Sequence, residues 1–331
     1  MENNAARLRE RLKTLGLSDP AIDAAWPTWW SQDADASTSA KVELRFSVAR
    51  KLGLDPHSLL EDDAQPQFIW QNEARFKHLS GEGQLERAAI TSFGAALGMY
   101  LVAATRNEPL QVESDPNVFR KAILREQPFV RLIDLLSLCW TLAIPAIHLR
   151  VFPLSQKRMS AMSVRVGQRN AIMLGKDSMY PPHVAFYLAH EIAHIALGHL
   201  SEDPIVVDFE VDEQVAANDE EENRADEFAL QLLTGHSRPT VLPQQDRYSA
   251  RELARVARSA GADLGIEPGT LALCFGFSTR DWATANAAIG HIYAEPRPVW
   301  VEVNRIANGQ LALDRVPDDA RSYLNAVLGA A

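Results

Sequence analysis

A glutamate and three histidines interrupt an otherwise apolar stretch, FYLAHEIAHIALGHL, at residues 186–200, and the glutamate and two of the histidines form the segment HEIAH. Burying one unpaired polar group costs about 1–3 kcal/mol, so three titratable side chains among core residues need partners. Residues four apart project from nearly the same side of a helix, so His190 and His194 face one point. Glu191 lies beside them, within reach of a water held at that point. This HExxH spacing predicts two metal ligands and a general base, unless it is a chance pairing of two core histidines with a capped glutamate. A third ligand decides between these alternatives.

One candidate for the third ligand is a histidine just beyond the motif. The metzincin pattern requires a glycine and then a histidine at fixed offsets, and Gly198 and His199 are shifted out of that frame. If the helix continues, His199 lies roughly opposite His190, since nine steps of about 100° make two and a half turns. We therefore expect His199 to be structural or exposed.

The other candidate is a glutamate on a second helix, as in the gluzincin pattern. Downstream, EEENRADEFALQLL at residues 220–233 has the apolar stripe of a helix. Glu222 and Asp226 are four apart and project toward the same neighbour. Glu222 can complete the metal site, and Asp226 can accept a hydrogen bond from the outer nitrogen of a ligand histidine. A solvated acidic cap is the alternative, and it fits Glu220 and Glu221 better. HExxH followed by ExxxD predicts a zinc site.

These paired motifs resemble those of the ImmA/IrrE family of metallopeptidases, gluzincins of bacteria and their mobile elements. The resemblance runs through HEIAH to ENRADEFALQLL and covers roughly residues 85–240. The sequence departs from the family at two places. Ala193 stands where many members have glycine, and Thr234-Gly235 stands where a Met-Pro pair is frequent. The second difference affects the expected shape of the cleft rim. The resemblance implies Zn²⁺ as cofactor. The residues it assigns are His190, His194 and Glu222 as ligands and Glu191 as general base.

The resemblance also implies a function. The implied function is zinc-dependent endopeptidase activity toward a specific protein, a transcriptional repressor or an antitoxin-like partner. The peptide bond would be hydrolysed by zinc-activated water, with a glutamate as general base. The alternative from another class is a regulatory zinc-fold protein that acts by protein or DNA contact. An intact Glu191 favours the enzyme, because metal binding alone needs no base. Four side chains near the motif could stabilise an oxyanion, and the sequence does not select among them: Tyr180, His183, Tyr187 and His236.

Short β-rich segments before the motif predict a sheet. Residues 147–152, 160–167 and 170–175 are separated by turn material and suggest a small antiparallel sheet. In a zincin such a sheet lies over the active-site helix, and its edge strand can bind an extended peptide, although it could simply complete the core. The predicted fold class is therefore α+β, a zincin-like metallopeptidase core with helical flanking regions.

The flanks divide the chain into three expected parts. Residues 1–80 form a helical N-terminal region, residues 81–240 the metallopeptidase domain and residues 241–331 a helical C-terminal region. Within the first, SVARKLGLDPHSLLED at residues 47–62 weakly resembles the end of a phage-repressor helix-turn-helix domain. Its charges are balanced, which favours a structural or partner-binding module over DNA contact.

Composition limits the remaining possibilities. The chain has 331 residues, 47% hydrophobic content and a formal net charge of −10, which argues against a mainly nucleic-acid-binding protein. Without an apolar run of about 20 residues or a signal peptide, we expect no membrane span and a cytoplasmic protein.

Cys139 and Cys274 lie in apolar segments and are expected to be buried. Residues 202–227 are strongly acidic and are expected to form a solvated loop between the two zinc-bearing helices.

Overall fold

The computed structural model describes residues 4–61, 64–70, 74–77, 83–155, 159–201, 204–209, 219–239 and 248–329. These ranges contain five β-strands and fourteen α-helices. The strands are β1 Ala74–Lys77, β2 Ala146–His148, β3 Met159–Val166, β4 Arg169–Leu174 and β5 Ile205–Phe209. The helices are α1 Asn4–Lys13, α2 Asp19–Ala25, α3 Thr38–Leu52, α4 Pro56–Leu60, α5 Gln84–Ala103, α6 Pro116–Ile123, α7 Leu132–Thr141, α8 Pro181–Ala196, α9 Glu220–Thr234, α10 Ala250–Leu264, α11 Pro268–Thr279, α12 Trp282–Ile292, α13 Val299–Gln310 and α14 Asp318–Leu328.

The described strands form one mixed sheet in the order β1-β5-β3-β4-β2. β3 is antiparallel to both β4 and β5, whereas β2 runs parallel to β4 and β1 runs parallel to β5. The α+β class is confirmed. Of the three segments predicted to form an antiparallel sheet, those in β3 and β4 do so, whereas β2 pairs with β4 in parallel, on the side of β4 away from β3. The turn of the β3–β4 hairpin contains Gly167, whose φ of 61° is favourable for glycine.

Alternate side chains of β3 face two different cores. Met162 and Val164 belong to the core that includes the N-terminal helices and α14, whereas Ala161 belongs to the core around α8 and α9. Helix α5 crosses β3 closely on the first face, because a Cβ added to Gly94 would lie 2.2 Å from the Met162 sulfur. The sheet therefore separates the N-terminal helices and α14 from the helices that carry the motifs.

The outer edge of β2 is already occupied by a side chain. Asn304 of α13 accepts a hydrogen bond from the His148 amide at 2.8 Å and donates one to the His148 carbonyl at 2.7 Å. This amide pairs with β2 as a neighbouring strand would. The outer backbone groups of His148, with which an added strand would pair, are therefore already hydrogen-bonded. Among the described strands, β1 forms the other edge of the sheet.

The acidic segment between the two motif helices is not simply a solvated loop. Residues 205–209 form β5, and residues from Glu220 onward belong to α9, while residues 210–218 lie outside the described ranges. Ile205, Val206 and Val207 are buried, because β5 lies between two strands. The apolar IVV run is short and surrounded by acids, and it becomes a strand through its pairing with β3.

The N-terminal region is helical as expected, with β1 added. Lys51 of α3 is buried and donates hydrogen bonds to Asp319 of α14 at 2.6 Å and to the Ala25 carbonyl at 3.1 Å. This ion pair links the two flanks. The helix after Gly53 has five residues, and Leu59 on it is buried. DNA contact by this region and the division of the chain at residues 80 and 240 stay predictions.

The C-terminal region is helical, as expected, from α10 to α14. Cys139 and Cys274 are buried, as predicted, and burial raises the pKa of each thiol to about 12. Thiols with such pKa values are almost entirely protonated near neutral pH, which agrees with a structural role. None of the helices within the described ranges is long and apolar enough to cross a membrane.

Candidate metal centre

Helix α8 supplies three of the predicted site residues. It begins at Pro181-Pro182, where proline is favoured because the first helical amides need no acceptor within the helix. His190, Glu191 and His194 all lie on it and are buried. The predicted helix is present, and it ends at Ala196.

Helix α9 supplies the carboxylates. Asp219 caps its N-terminus by accepting a hydrogen bond from the Glu221 amide at 3.1 Å, and Gly235 ends it in the left-handed conformation with φ 84°. Helices α8 and α9 pack closely against each other. Glu222 is buried in their contact, whereas Glu220 and Glu221 lie in the first turn, where the helix dipole favours negative charge.

The structure brings His190, His194 and Glu222 together as a buried group of possible metal ligands, with donor atoms within 4.8 Å of one another. The two Nε2 atoms lie 2.9 Å apart. Glu222 Oε2 is 3.3 Å from His190 Nε2, and Oε1 is 3.4 Å from His194 Nε2. A tetrahedral zinc ion with bonds of about 2.0–2.1 Å keeps its donors about 3.3 Å apart. The two nitrogen–oxygen separations match this value, whereas the two Nε2 atoms lie closer together. Two imidazoles and one carboxylate are the donor types of catalytic Zn²⁺ sites.

Asp226 contacts the outer nitrogen of one histidine. Its Oδ1 lies 2.9 Å from His190 Nδ1, and the two side chains come from different helices. This is the position expected for Asp226 from the four-residue spacing to Glu222. The contact orients the His190 ring and leaves its Nε2 directed at the other two donors.

His199 is buried beside His194, outside the group of possible ligands, so the structural alternative holds although the residue does not lie opposite His190. Helix α8 ends before this residue, and Gly198 reverses the chain with φ 76°. The His199 ring is buried, and its Nδ1 lies 2.8 Å from His194 Nδ1. The angular argument failed because it assumed a continuous helix. Gly198 was the signal that could have revealed the error, since glycine commonly follows a helix C-terminus.

Glu191 is held by a residue that sequence reasoning missed. Ser163 of β3 donates a hydrogen bond from its hydroxyl to Glu191 Oε2, and both side chains are completely buried. Because β3 is paired with β4 on one side and β5 on the other, the strand above Glu191 is not an edge strand. No sequence signal links Ser163 to Glu191, since the contact depends on how α8 crosses the sheet.

The four candidates for stabilising an oxyanion lie near α8 and α9, and their contacts do not single out one of them. His183 Nε2 lies 3.0 Å from Asn286 Oδ1 of α12, and the ring of Tyr180 packs against that of Tyr293 at an angle of 31°. Tyr187 packs edge-on against Phe186, as expected for a packing residue. The His236 amide donates to the Thr234 hydroxyl in the turn after α9. We assign none of them to the oxyanion.

No protein-family model, curated protein or solved structure matches the chain. The fold and the site nevertheless define a class: an α+β protein with a buried candidate site of the HExxH-plus-glutamate type across two packed helices. This arrangement is consistent with a zincin-like core and compatible with a metallohydrolase.

We expect Asp226→Asn to weaken zinc affinity by roughly 10–100-fold while the protein still folds, because the outer carboxylate orients His190 and does not bind the metal. The variant keeps the size of the side chain and removes its charge. Zinc affinity measured by chelator competition, together with the melting temperature of zinc-free protein, checks this. Glu227→Gln is the matched control, since Glu227 lies next on α9 and pairs with exposed Arg238 at 2.7 Å. Wild-type affinity in the Asp226 variant would show that Asp226 is only a surface residue.

Proposed function

We propose that the protein is a zinc-dependent endopeptidase of the kind its motifs resemble, the ImmA/IrrE metallopeptidases. The observation that carries the proposal is the buried group of His190, His194 and Glu222 with Glu191 next to it on α8. Three protein ligands are the number found in catalytic zinc sites, whereas structural zinc sites almost always have four.

His190, His194 and Glu222 would hold the metal. When bound, zinc supplies Lewis acidity toward a peptide carbonyl and makes water acidic enough to lose a proton near neutral pH. Glu191 would accept a proton from the attacking water as general base and would then deliver a proton to the leaving amine. The Ser163 hydroxyl holds one Glu191 oxygen in place during both transfers, because its hydrogen bond fixes the rotamer of a side chain that has no contact with bulk solvent.

The sheet affects how a substrate approaches. β2 is covered by Asn304, and β3 is paired on both sides. A peptide would therefore meet backbone groups that are already hydrogen-bonded at His148 of β2 and along β3. This favours a substrate recognised as a specific protein, by surfaces beyond the scissile segment, over bulk peptide. We propose a transcriptional repressor or an antitoxin-like partner as that substrate.

Comparison of protein termini in two cell lines tests the proposal. One produces the wild-type protein and the other produces Glu191→Gln, and both are sampled during growth and under DNA-damaging stress. We expect new internal termini in one or a few proteins, among them a repressor or an antitoxin-like protein, in the wild-type line and not in the Glu191→Gln line. Glu221→Gln is the control and should give wild-type termini. Identical termini and identical gene regulation in all lines under every condition would instead favour a protein that acts by contact.

A further inference from the structure

The chain reverses direction at the end of α8 and brings a second imidazole back to the site. After Ala196 the chain turns through Gly198, and the His199 amide donates a hydrogen bond to the His194 carbonyl at 3.0 Å. This backbone contact places the His199 side chain beside that of His194. The position is set by local hydrogen bonding rather than by a distant part of the chain.

The contact between the two rings has a defined polarity. Their Nδ1 atoms are 2.8 Å apart, so one nitrogen carries the proton and the other accepts it. His194 Nε2 points at His190 and Glu222 and needs its lone pair to bind a metal. The proton of His194 is then on Nδ1, and His199 accepts it at Nδ1 in the neutral form that carries its own proton on Nε2.

We propose that His199 is a positioning residue for His194, which it holds in the tautomer and ring orientation needed for metal binding. This inference rests on the proposed zinc function. His199 acts on His194 as Asp226 acts on His190, so both ligand histidines have their outer nitrogen held by a side chain. The two partners differ in charge. A neutral imidazole at this deeper position adds no further anion near the carboxylates of Glu191 and Glu222.

Three substitutions at one position test the inference. The amide oxygen of Asn can occupy nearly the same position as Nδ1 of His, whereas the amide of Gln reaches one bond further and Leu has no acceptor. We expect His199→Leu and His199→Gln to weaken zinc affinity roughly 10–100-fold and His199→Asn to restore most of it. Zinc affinity is measured on full-length protein by chelator competition at one fixed pH, and the melting temperature of zinc-free protein reports folding separately.

His148→Leu is the control for loss of a buried imidazole, because both of its ring nitrogens lie 3.1 Å from backbone carbonyl oxygens outside the metal site. It should lower the melting temperature and leave zinc affinity unchanged. If His199→Leu does not fold, the comparison of Asn with Gln decides. Equal zinc affinity in the Asn and Gln variants, or wild-type affinity in His199→Leu, would overturn the positioning role while the proposed function stands. Absence of zinc binding by the wild-type protein would overturn both.

Discussion

Purified Glu191→Gln protein is expected to keep about one zinc ion per chain and to lose peptide-bond hydrolysis by roughly 10²–10⁴-fold. Glutamine has nearly the same size as glutamate and can still accept the hydrogen bond from Ser163, so the buried position stays filled. It cannot take a proton from water at neutral pH. Binding and folding are therefore separated from proton transfer in a single substitution.

The measurement uses a protein substrate identified from its new termini, with metal content determined on the same preparation. Glu221→Gln removes a carboxylate from the first turn of α9 and should hydrolyse the substrate at the wild-type rate. Wild-type hydrolysis by Glu191→Gln, with zinc still bound, would exclude Glu191 as the general base. A preparation without zinc would instead show that Glu191 is needed to assemble the site.

Glu222→Ala should remove most of the bound zinc, with a larger loss of affinity than the roughly 10–100-fold expected from changing an outer contact. The two Glu222 oxygens face the two ligand nitrogens at 3.3 and 3.4 Å, so the substitution deletes one of three ligands. Two histidines alone provide fewer than the three protein ligands of a catalytic zinc site.

Metal content after dialysis, followed by chelator competition, measures this loss. Glu221→Ala is the matched control, because it changes the neighbouring residue in the same acidic turn and should keep wild-type zinc content. Equal metal content in the two variants would contradict the assignment of Glu222. Loss of zinc in both would point to the stability of the α9 N-terminus rather than to a ligand.

Residues of the candidate site could be predicted from the sequence where they lie on the same helix. A helix repeats every 3.6 residues, so the four-residue spacings of His190 to His194 and of Glu222 to Asp226 determine which side chains share a face. The apolar stripe of residues 220–233 and the β-rich segments before α8 likewise depend on local periodicity. The two helices that carry the motifs and the β3–β4 hairpin were predictable for the same reason.

Tertiary structure decided the features that depend on pairing between distant segments or on a break in a helix. β1 and β5 are separated by more than a hundred residues, and their parallel register follows from packing rather than from either short sequence. Ser163 reaches Glu191 because α8 crosses the middle of the sheet, and Asn304 covers β2 because α13 lies alongside it. His199 faces His194 because the chain reverses at Gly198. Sequence periodicity therefore determined which side chains could serve as ligands, and the folded chain determined which other groups orient them.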